Sequence, residues 1–262
     1  MPSQKGAVSV SHPQVGRLPE QPLVSSICVT EGRPAFMPWL LWCFDRQTWP
    51  HRELLILDSS ERPFVSSRND VRVVALPPGT GIARKRNLGL RSARGELIAW
   101  FDDDDWQHPQ KLACLVEALR GGAAYAGSAS GWFVELYQSR CAAFRAPQGC
   151  MIFNSAAFRR EAVLPVVFRE GVERASDTYW MRKVAAHCRR STGLERDDLF
   201  FWLSHEGNIS NPARKKHFSL HLDVLRDHIG TAAWGDTDAA LESLRLRLDA
   251  AACERPTKAS LP

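Results

Sequence analysis

Four consecutive aspartates, Asp102, Asp103, Asp104 and Asp105, stand at the end of the apolar run Leu97-Ile98-Ala99-Trp100-Phe101. Adjacent carboxylates repel one another, so the run needs water or a cation to offset its charge. In an extended chain alternate side chains share a side, which would aim Asp102 and Asp104 one way and Asp103 the other. An all-oxygen ligand set suits a hard ion such as Mg²⁺ or Mn²⁺. A solvated acidic turn capping the next helix would use the same residues, because Asp is a good N-cap. The context favours the ion. An apolar run of this length after Arg94-Gly95-Glu96 reads as a strand buried on both faces, within a mostly parallel sheet. Ligands of such open sheets sit beyond the carboxyl ends of the strands, where these aspartates lie.

Other groups could act with this cluster. Asp58 closes the apolar run 53–57, and Thr30 closes the run 23–29. Arg84, Lys85, Arg86 and Asn87 fall on a helical stretch leading into the acidic strand; three cations there could hold a diphosphate or balance the aspartates. Asp177 opens a helical stretch in which Trp180, Val184 and Ala185 recur at helical spacing. It could serve as an N-cap or as a general base. His205 follows the apolar run 199–203.

The elements that must position these groups alternate as in an α/β sheet. Strands are expected at 23–29, 53–58, 71–76, 97–101, 149–153 and 199–203, with one or two more in 123–136. Helices are expected at 38–46, 82–94, 109–119 and 177–188, with a helical turn at 155–161. Pro38 fits a first helical turn, and Gly95 would stop the second helix at C′. Beyond Pro212, Leu220, Leu222, Leu225 and Ile229, then Leu241, Leu244 and Leu248, fit two amphipathic helices. Residues 1–21, rich in Ser, Pro, Gln and Gly, read as a flexible tail. The chain divides into that tail, a half at 22–137, a second half at 138–212 and a helical extension at 213–262.

Composition narrows the class. The 262 residues are 44% hydrophobic and 24% charged, ordinary for a soluble globular protein. There is no run long enough to cross a bilayer and no secretory signal pattern. Seven cysteines lack any Cys-x-x-Cys spacing, which argues against a zinc site or a disulfide framework and for a reducing cytosol. The net charge of +5 is mild, and the basic residues do not form one strongly charged element, so nucleic acid is not expected as a partner. The basic stretch 213–218 beside the amphipathic helices could meet the inner face of an anionic membrane; a dimer contact or packing on the sheet would use it equally well. The oligomeric state is open.

The ordered stretch Gly95-Glu96-Leu97-Ile98-Ala99-Trp100-Phe101-Asp102-Asp103-Asp104-Asp105, with the helix start His108-Pro109-Gln110-Lys111-Leu112, resembles the strand-end motif of the family 2 glycosyltransferases. Gln47-Thr48-Trp49-Pro50 is similar to the family's turn into its second strand. The resemblance extends from about residue 23 to residue 211 and is specific for the family but for no sugar. It implies a GT-A (Rossmann-like) α/β fold, a mostly parallel central sheet flanked by helices with a C-terminal helical extension. It also implies a nucleotide-diphosphate sugar donor and a divalent cation, Mn²⁺ or Mg²⁺, held chiefly by Asp104 with help from Asp102. Asp103 would lie at the ribose, Thr30 and Asp58 at the nucleotide, and Arg86 and Asn87 match the family's Arg-Asn pair. Asp177 matches the base that deprotonates the acceptor hydroxyl in a single inverting displacement. The segment starting at His205 resembles a loop over the donor site, from which a His approaches metal or diphosphate. The acceptor would be a glycan, a lipid-linked molecule or another hydroxyl, in surface glycan or glycoconjugate synthesis. Ser59 and Ser176 depart from the family, which carries acids there. Those departures favour one alternative, a non-catalytic nucleotide-sugar-binding module. A sugar-nucleotidyltransferase would need a Gly-rich loop after the first strand, for which Thr30-Glu31-Gly32-Arg33-Pro34 is too short.

Overall fold

The computed structural model describes residues 16–172, 175–205 and 218–253. In chain order its elements begin with β1 (Val24–Thr30), α1 (Met37–Asp45), β2 (Arg52–Asp58), β3 (Val71–Ala75), α2 (Ile82–Ser92) and β4 (Leu97–Trp100). Next come β5 (Asp105–Gln107), α3 (Lys111–Arg120), β6 (Tyr125–Ser128), β7 (Ser130–Glu135) and β8 (Arg140–Arg145). The second half holds β9 (Ala157–Arg159), α4 (Arg160–Val163), α5 (Ser176–His187), β10 (Ser191–Leu194) and β11 (Phe200–Ser204). The last described elements are β12 (Leu220–His221), α6 (Leu222–Ile229), α7 (Thr231–Trp234) and α8 (Thr237–Cys253).

The main sheet runs β10-β6-β9-β4-β1-β2-β3. It is parallel except at β9, which pairs antiparallel with both neighbours. Its central strands are buried on both faces, as their unbroken apolar runs require. Ile27, Leu55 and Leu57 pack toward α2, α4 and α5, while Cys28, Leu54 and Ile56 pack toward α1 and α3. Each such fully buried aliphatic side chain contributes about 1.5–3 kcal/mol over leaving it in water. Helix α1 is apolar nearly all round because it serves two cores. Leu40 and Phe44 face the main sheet, and Trp39 and Cys43 face a third core. That core lies between α6, α7, α8 and a second sheet, β12-β8-β7-β11-β5.

The architecture is the expected α/β sheet with helices on both faces, and three local expectations are corrected. Residues 149–153 form no strand; a single 3₁₀ turn, Phe153–Ser155, precedes β9. The helical turn expected at 155–161 is instead β9 followed by α4, because Phe158 inserts between Ile98 of β4 and Tyr125 of β6. Pairing across the sheet overrides local propensity there. Gly95 does not act as a left-handed helix stop: α2 ends at Ser92, and Gly95 is absent from the positive-φ glycines. Glycine is needed at 95 because a Cβ would stand 2.4 Å from the Leu23 carbonyl oxygen and 2.7 Å from the Ser25 nitrogen on β1.

Candidate active site

Parallel pairing brings Thr30 into register with Asp58, and Ile27 with Trp100. The chain turns as soon as it leaves β4, with the Asp105 amide donating to the Asp102 carbonyl at 3.4 Å. The aspartates therefore do not continue an extended strand. They are instead shared between two partners, Asp103 and Asp104 on Arg33 and Asp102 and Asp105 on Asn154, which offset part of their mutual repulsion. Strand β5 then pairs antiparallel with β11, Trp202 opposite Asp105, so the exit of β11 delivers His205 beside Asp104.

Arg33, in the turn after β1, donates from Nη1 to Asp103 Oδ1 at 2.7 Å and from Nη2 to Asp104 Oδ2 at 2.6 Å. His205 Nε2 lies 3.2 Å from Asp104 Oδ2 and 3.1 Å from Arg33 Nη2. Thr30 Oγ1 donates to Asp103 Oδ2 at 2.6 Å. On the other side Asn154 Nδ2 donates to Asp102 Oδ2 at 2.8 Å and to Asp105 Oδ2 at 2.5 Å. Below them Lys111 is fully buried and donates to the carbonyls of Trp100 and Asn154 and to Gln107 Oε1.

The electrostatics follow from burial and these partners. Burial pushes Asp104 up, but Arg33 and His205 outweigh it and hold this carboxyl well below the usual range. Burial pushes Asp103 up to about 7, against the pull of Arg33 and Thr30. Burial also raises Asp102, against Arg86, and raises Asp105, with Asp104 and Asp102 adding to the effect. The Lys111 ammonium is brought down to about 7 by burial, opposed by Asp105. The pocket thus holds one firmly ionised carboxylate and three that keep their protons unusually well.

Carboxylate oxygens of Asp102, Asp104 and Asp105 lie within 4.8 Å of one another. Oxygens on one octahedral Mg²⁺ at about 2.1 Å stand at most about 4.2 Å apart, so the cluster need close only slightly to hold a hard cation. The donor set fits Mg²⁺ or Mn²⁺ and includes Asp105 besides the two residues expected.

The expected nucleotide residues divide into two groups. Thr30 and Asp103 meet directly. Asp58 spends its carboxylate on its own turn, accepting from the Ser60 amide and hydroxyl and, at 2.7 Å, from the Phe64 amide. Beside it the buried Lys85 ammonium donates to Ser59 Oγ at 2.8 Å, to the Thr30 carbonyl and to Glu31. Asn87 holds both amide groups against the backbone of Phe168, at 2.9 and 2.8 Å.

Arg86 runs into an aromatic enclosure, its guanidinium 4.7 Å from the Phe153 ring and 5.4 Å from that of Phe168. Nη1 donates to Ser176 Oγ at 2.8 Å, and Nε has no partner among the described residues. Burial lowers its pKa, against the attraction of Asp102 and Asp177. This one side chain therefore links the acid cluster to the start of α5. Asp177, half-buried in the first turn of α5, accepts from the Thr178 amide at 2.7 Å. The helix is anchored by Trp180, which stacks on Phe168 at 4.6 Å and donates to the Val166 carbonyl. A cleft of about 450 Å³ opens at the start of α2, between Pro77, Arg84, Glu170 and Val172, and no aspartate of the cluster lines it. Most of the segment starting at His205, the basic stretch 213–217 and Glu173 lie outside the described residues.

Arg33 and Asn154 were not anticipated. A cation one turn beyond β1, at the sheet end that carries the acids, was a readable signal for Arg33; Asn154 sits in a segment without periodicity and gave none.

A mostly parallel sheet with acids at its strand ends, an embedded antiparallel strand and a helix opening on a further acid define an open α/β architecture whose ligand site lies beyond the strand ends. Residues 33–142 match the model of the family described as Glycosyl transferase family 2. An uncharacterized glycosyltransferase of Haemophilus influenzae is 31% identical over 101 residues, which is 37% of this chain and 34% of that protein. S. aureus TarS 1-349 in complex with UDP superposes with a TM-score of 0.55 at 15% identity, over 69% of this chain and 60% of that one. The mannosyltransferase PcManGT from Pyrobaculum calidifontis, in complex with GDP-Man and Mn²⁺, superposes with a TM-score of 0.52 at 17% identity, over 97% and 80% of the two chains. The chain thus spans about a third of the Haemophilus influenzae relative and about three-fifths of TarS 1-349. Residues 33–142 are thus similar to the family 2 glycosyltransferases, and the fold is that of GT-A structures. Among the described residues no helix is long and apolar enough to cross a membrane.

Proposed function

We propose that the protein is a metal-dependent, inverting glycosyltransferase that moves a sugar from a nucleotide-diphosphate sugar to an acceptor hydroxyl. The observation that carries this reading is a pair of separate carboxylate sites. One is the cluster of Asp102, Asp104 and Asp105 at the strand ends; the other is Asp177 on α5, tied to the first through Arg86.

Asp104, Asp102 and Asp105 would hold a Mg²⁺ or Mn²⁺ ion, which when bound supplies positive charge to the leaving diphosphate. Asp103 and Thr30 are the ribose contacts of this reading. Asp58 and its turn lie at the nucleotide in this reading, with Ser59 and Lys85 behind them. His205 borders the ion site. Arg86 fixes the start of α5 relative to the cluster, and Asn87 fixes the Phe168 segment under it. Asp177 takes the acceptor proton as the acceptor oxygen bonds to the anomeric carbon. The bond from that carbon to the diphosphate oxygen breaks, and the nucleotide leaves. Residues 22–137 form the donor half and 138–212 the acceptor half, with 213–262 a helical extension. The complexes of the structural neighbours with UDP, UDP-GlcNAc and GDP-Man, one of them with Mn²⁺, support a donor of this class. Free cysteines at Cys28, Cys43, Cys141 and Cys188 support a cytosolic site of action, with lipid-linked or glycan acceptors presented at the inner face of the membrane.

The test is a thermal-shift screen of uridine and guanosine diphosphate sugars with Mn²⁺, followed by product analysis with the stabilising donor. A ligand bound only by the folded state raises its stability by mass action. Stabilisation with neither transfer nor donor hydrolysis would leave a binding module and overturn the catalytic reading.

A further inference from the structure

Arg33 reaches the acid cluster already fixed in position. Gly32, at φ +62, turns the chain out of β1 and donates its amide to Ser60 Oγ at 2.7 Å. Pro34 then opens a 3₁₀ turn, Pro34–Phe36. The Phe36 ring lies under the Arg33 guanidinium at 4.4 Å and against the His205 ring at 4.8 Å. The guanidinium is thus held flat and its two outer nitrogens address two different carboxylates, Asp103 and Asp104.

Asp104 is also one of the three residues whose oxygens converge for a cation. A guanidinium and a divalent ion on the same carboxylate repel each other and compete for its lone pairs. We propose that Arg33 is a resident counter-cation that competes with the divalent ion for Asp104, keeping the acid pocket charge-balanced and its intrinsic ion affinity low. The inference rests on the reading of the cluster as an ion site. In the ion-loaded protein the guanidinium has to give up Asp104 and keep at most Asp103.

The measurement is Mn²⁺ affinity without any nucleotide, from the electron paramagnetic resonance signal of the free ion, for wild type, Arg33→Met, Arg33→Gln, Arg33→Lys and Asp104→Asn. Met keeps the apolar stem on Phe36 and removes the charge; Gln is a second neutral variant should Met fold poorly. Both neutral variants should bind Mn²⁺ at least about tenfold more tightly, the equivalent of one charge-assisted contact. Lys retains the charge and should stay near wild type, and Asp104→Asn should lose the site. Mn²⁺ should also raise the melting temperature of Arg33→Met more than that of wild type. Equal or weaker Mn²⁺ binding by the neutral variants, with Asp104→Asn still abolishing it, would overturn the inference and leave the ion site standing. No Mn²⁺ binding by any variant would overturn both.

Discussion

Asn154 offers the sharpest test of how the acid pocket is held, because it needs no substrate. Its side-chain amide is 4% exposed and gives one donor each to Asp102 and Asp105. Hydrogen bonds to charged groups contribute about 1.5–3 kcal/mol each, so removing both costs about 3–6 kcal/mol if the carboxylates stay ionised. They need not, since burial already raises both pKa values. Protonation caps the loss, and the lower end, about 3 kcal/mol, is expected for Asn154→Ala at neutral pH. For a chain of this size that corresponds to a fall of about 6–12 °C in melting temperature. Mn²⁺ affinity should fall as well, by about 10–100-fold, the usual effect of losing a partner that orients metal ligands. Urea denaturation in EDTA gives the first quantity and a Mn²⁺ titration the second. Stability and ion affinity both within error of wild type would mean that the two aspartates are not held through Asn154.

Asp177→Asn keeps the oxygen that accepts from Thr178 and removes only the proton acceptor. Donor affinity and melting temperature should stay near wild type while transfer falls by at least about 10²; activity within a few-fold of wild type would put the base elsewhere, with Glu173 next to be tested. Asp104→Asn should mimic EDTA by abolishing donor binding with the fold intact, and full turnover in that variant would remove the ion from the reading. Ion affinity should depend on pH. Acids whose pKa is raised by burial hold protons to higher pH, Asp103 to about 7, and Asp102 and Asp105 are raised as well. Mn²⁺ must displace the protons of its ligands Asp102 and Asp105, so its affinity should climb as pH rises; titrations that are flat from pH 5 upward would contradict the assigned environment.

The main sheet was legible because its strands are apolar runs that end in polar groups, and the family motif fixed where the acids lie. Burial on both faces makes such runs unmistakable. The failures lie where pairing across the sheet, and not the local pattern, decides structure. Residues 157–159 carry Ala, Phe and Arg, with no strand signature of their own, yet they fill the gap between β4 and β6. The same holds within the site. Alternation predicted that Asp102 and Asp104 would share a side, and their oxygens do converge, but the turn after β4 also brings in Asp105 and pairs the run two by two, Asp103 and Asp104 on Arg33 and Asp102 and Asp105 on Asn154. Both partners are distant in sequence; only Arg33, one turn beyond β1, left a signal in its place along the chain, and Asn154 left none.

The two departures from the family acquire a physical meaning from their neighbours. Ser59 receives the Lys85 ammonium at 2.8 Å, and Lys85 also reaches Glu31 at 3.2 Å. A carboxylate is therefore present at this end of the sheet, contributed by the turn after β1 and not by the end of β2. Ser176 accepts from Arg86 at 2.8 Å without neutralising it. A carboxylate at 176 would pair with that guanidinium and absorb its charge. With a hydroxyl there, the positive charge remains available to Asp102 on one side and Asp177 on the other. The cost is a buried cation whose Nε has no partner among the described residues, tolerated because the faces of Phe153 and Phe168 lie against it. The acid cluster and the start of α5 thus share the field of one arginine, so a change of charge at Asp102 or at Asp177 alters the balance that Arg86 strikes between them.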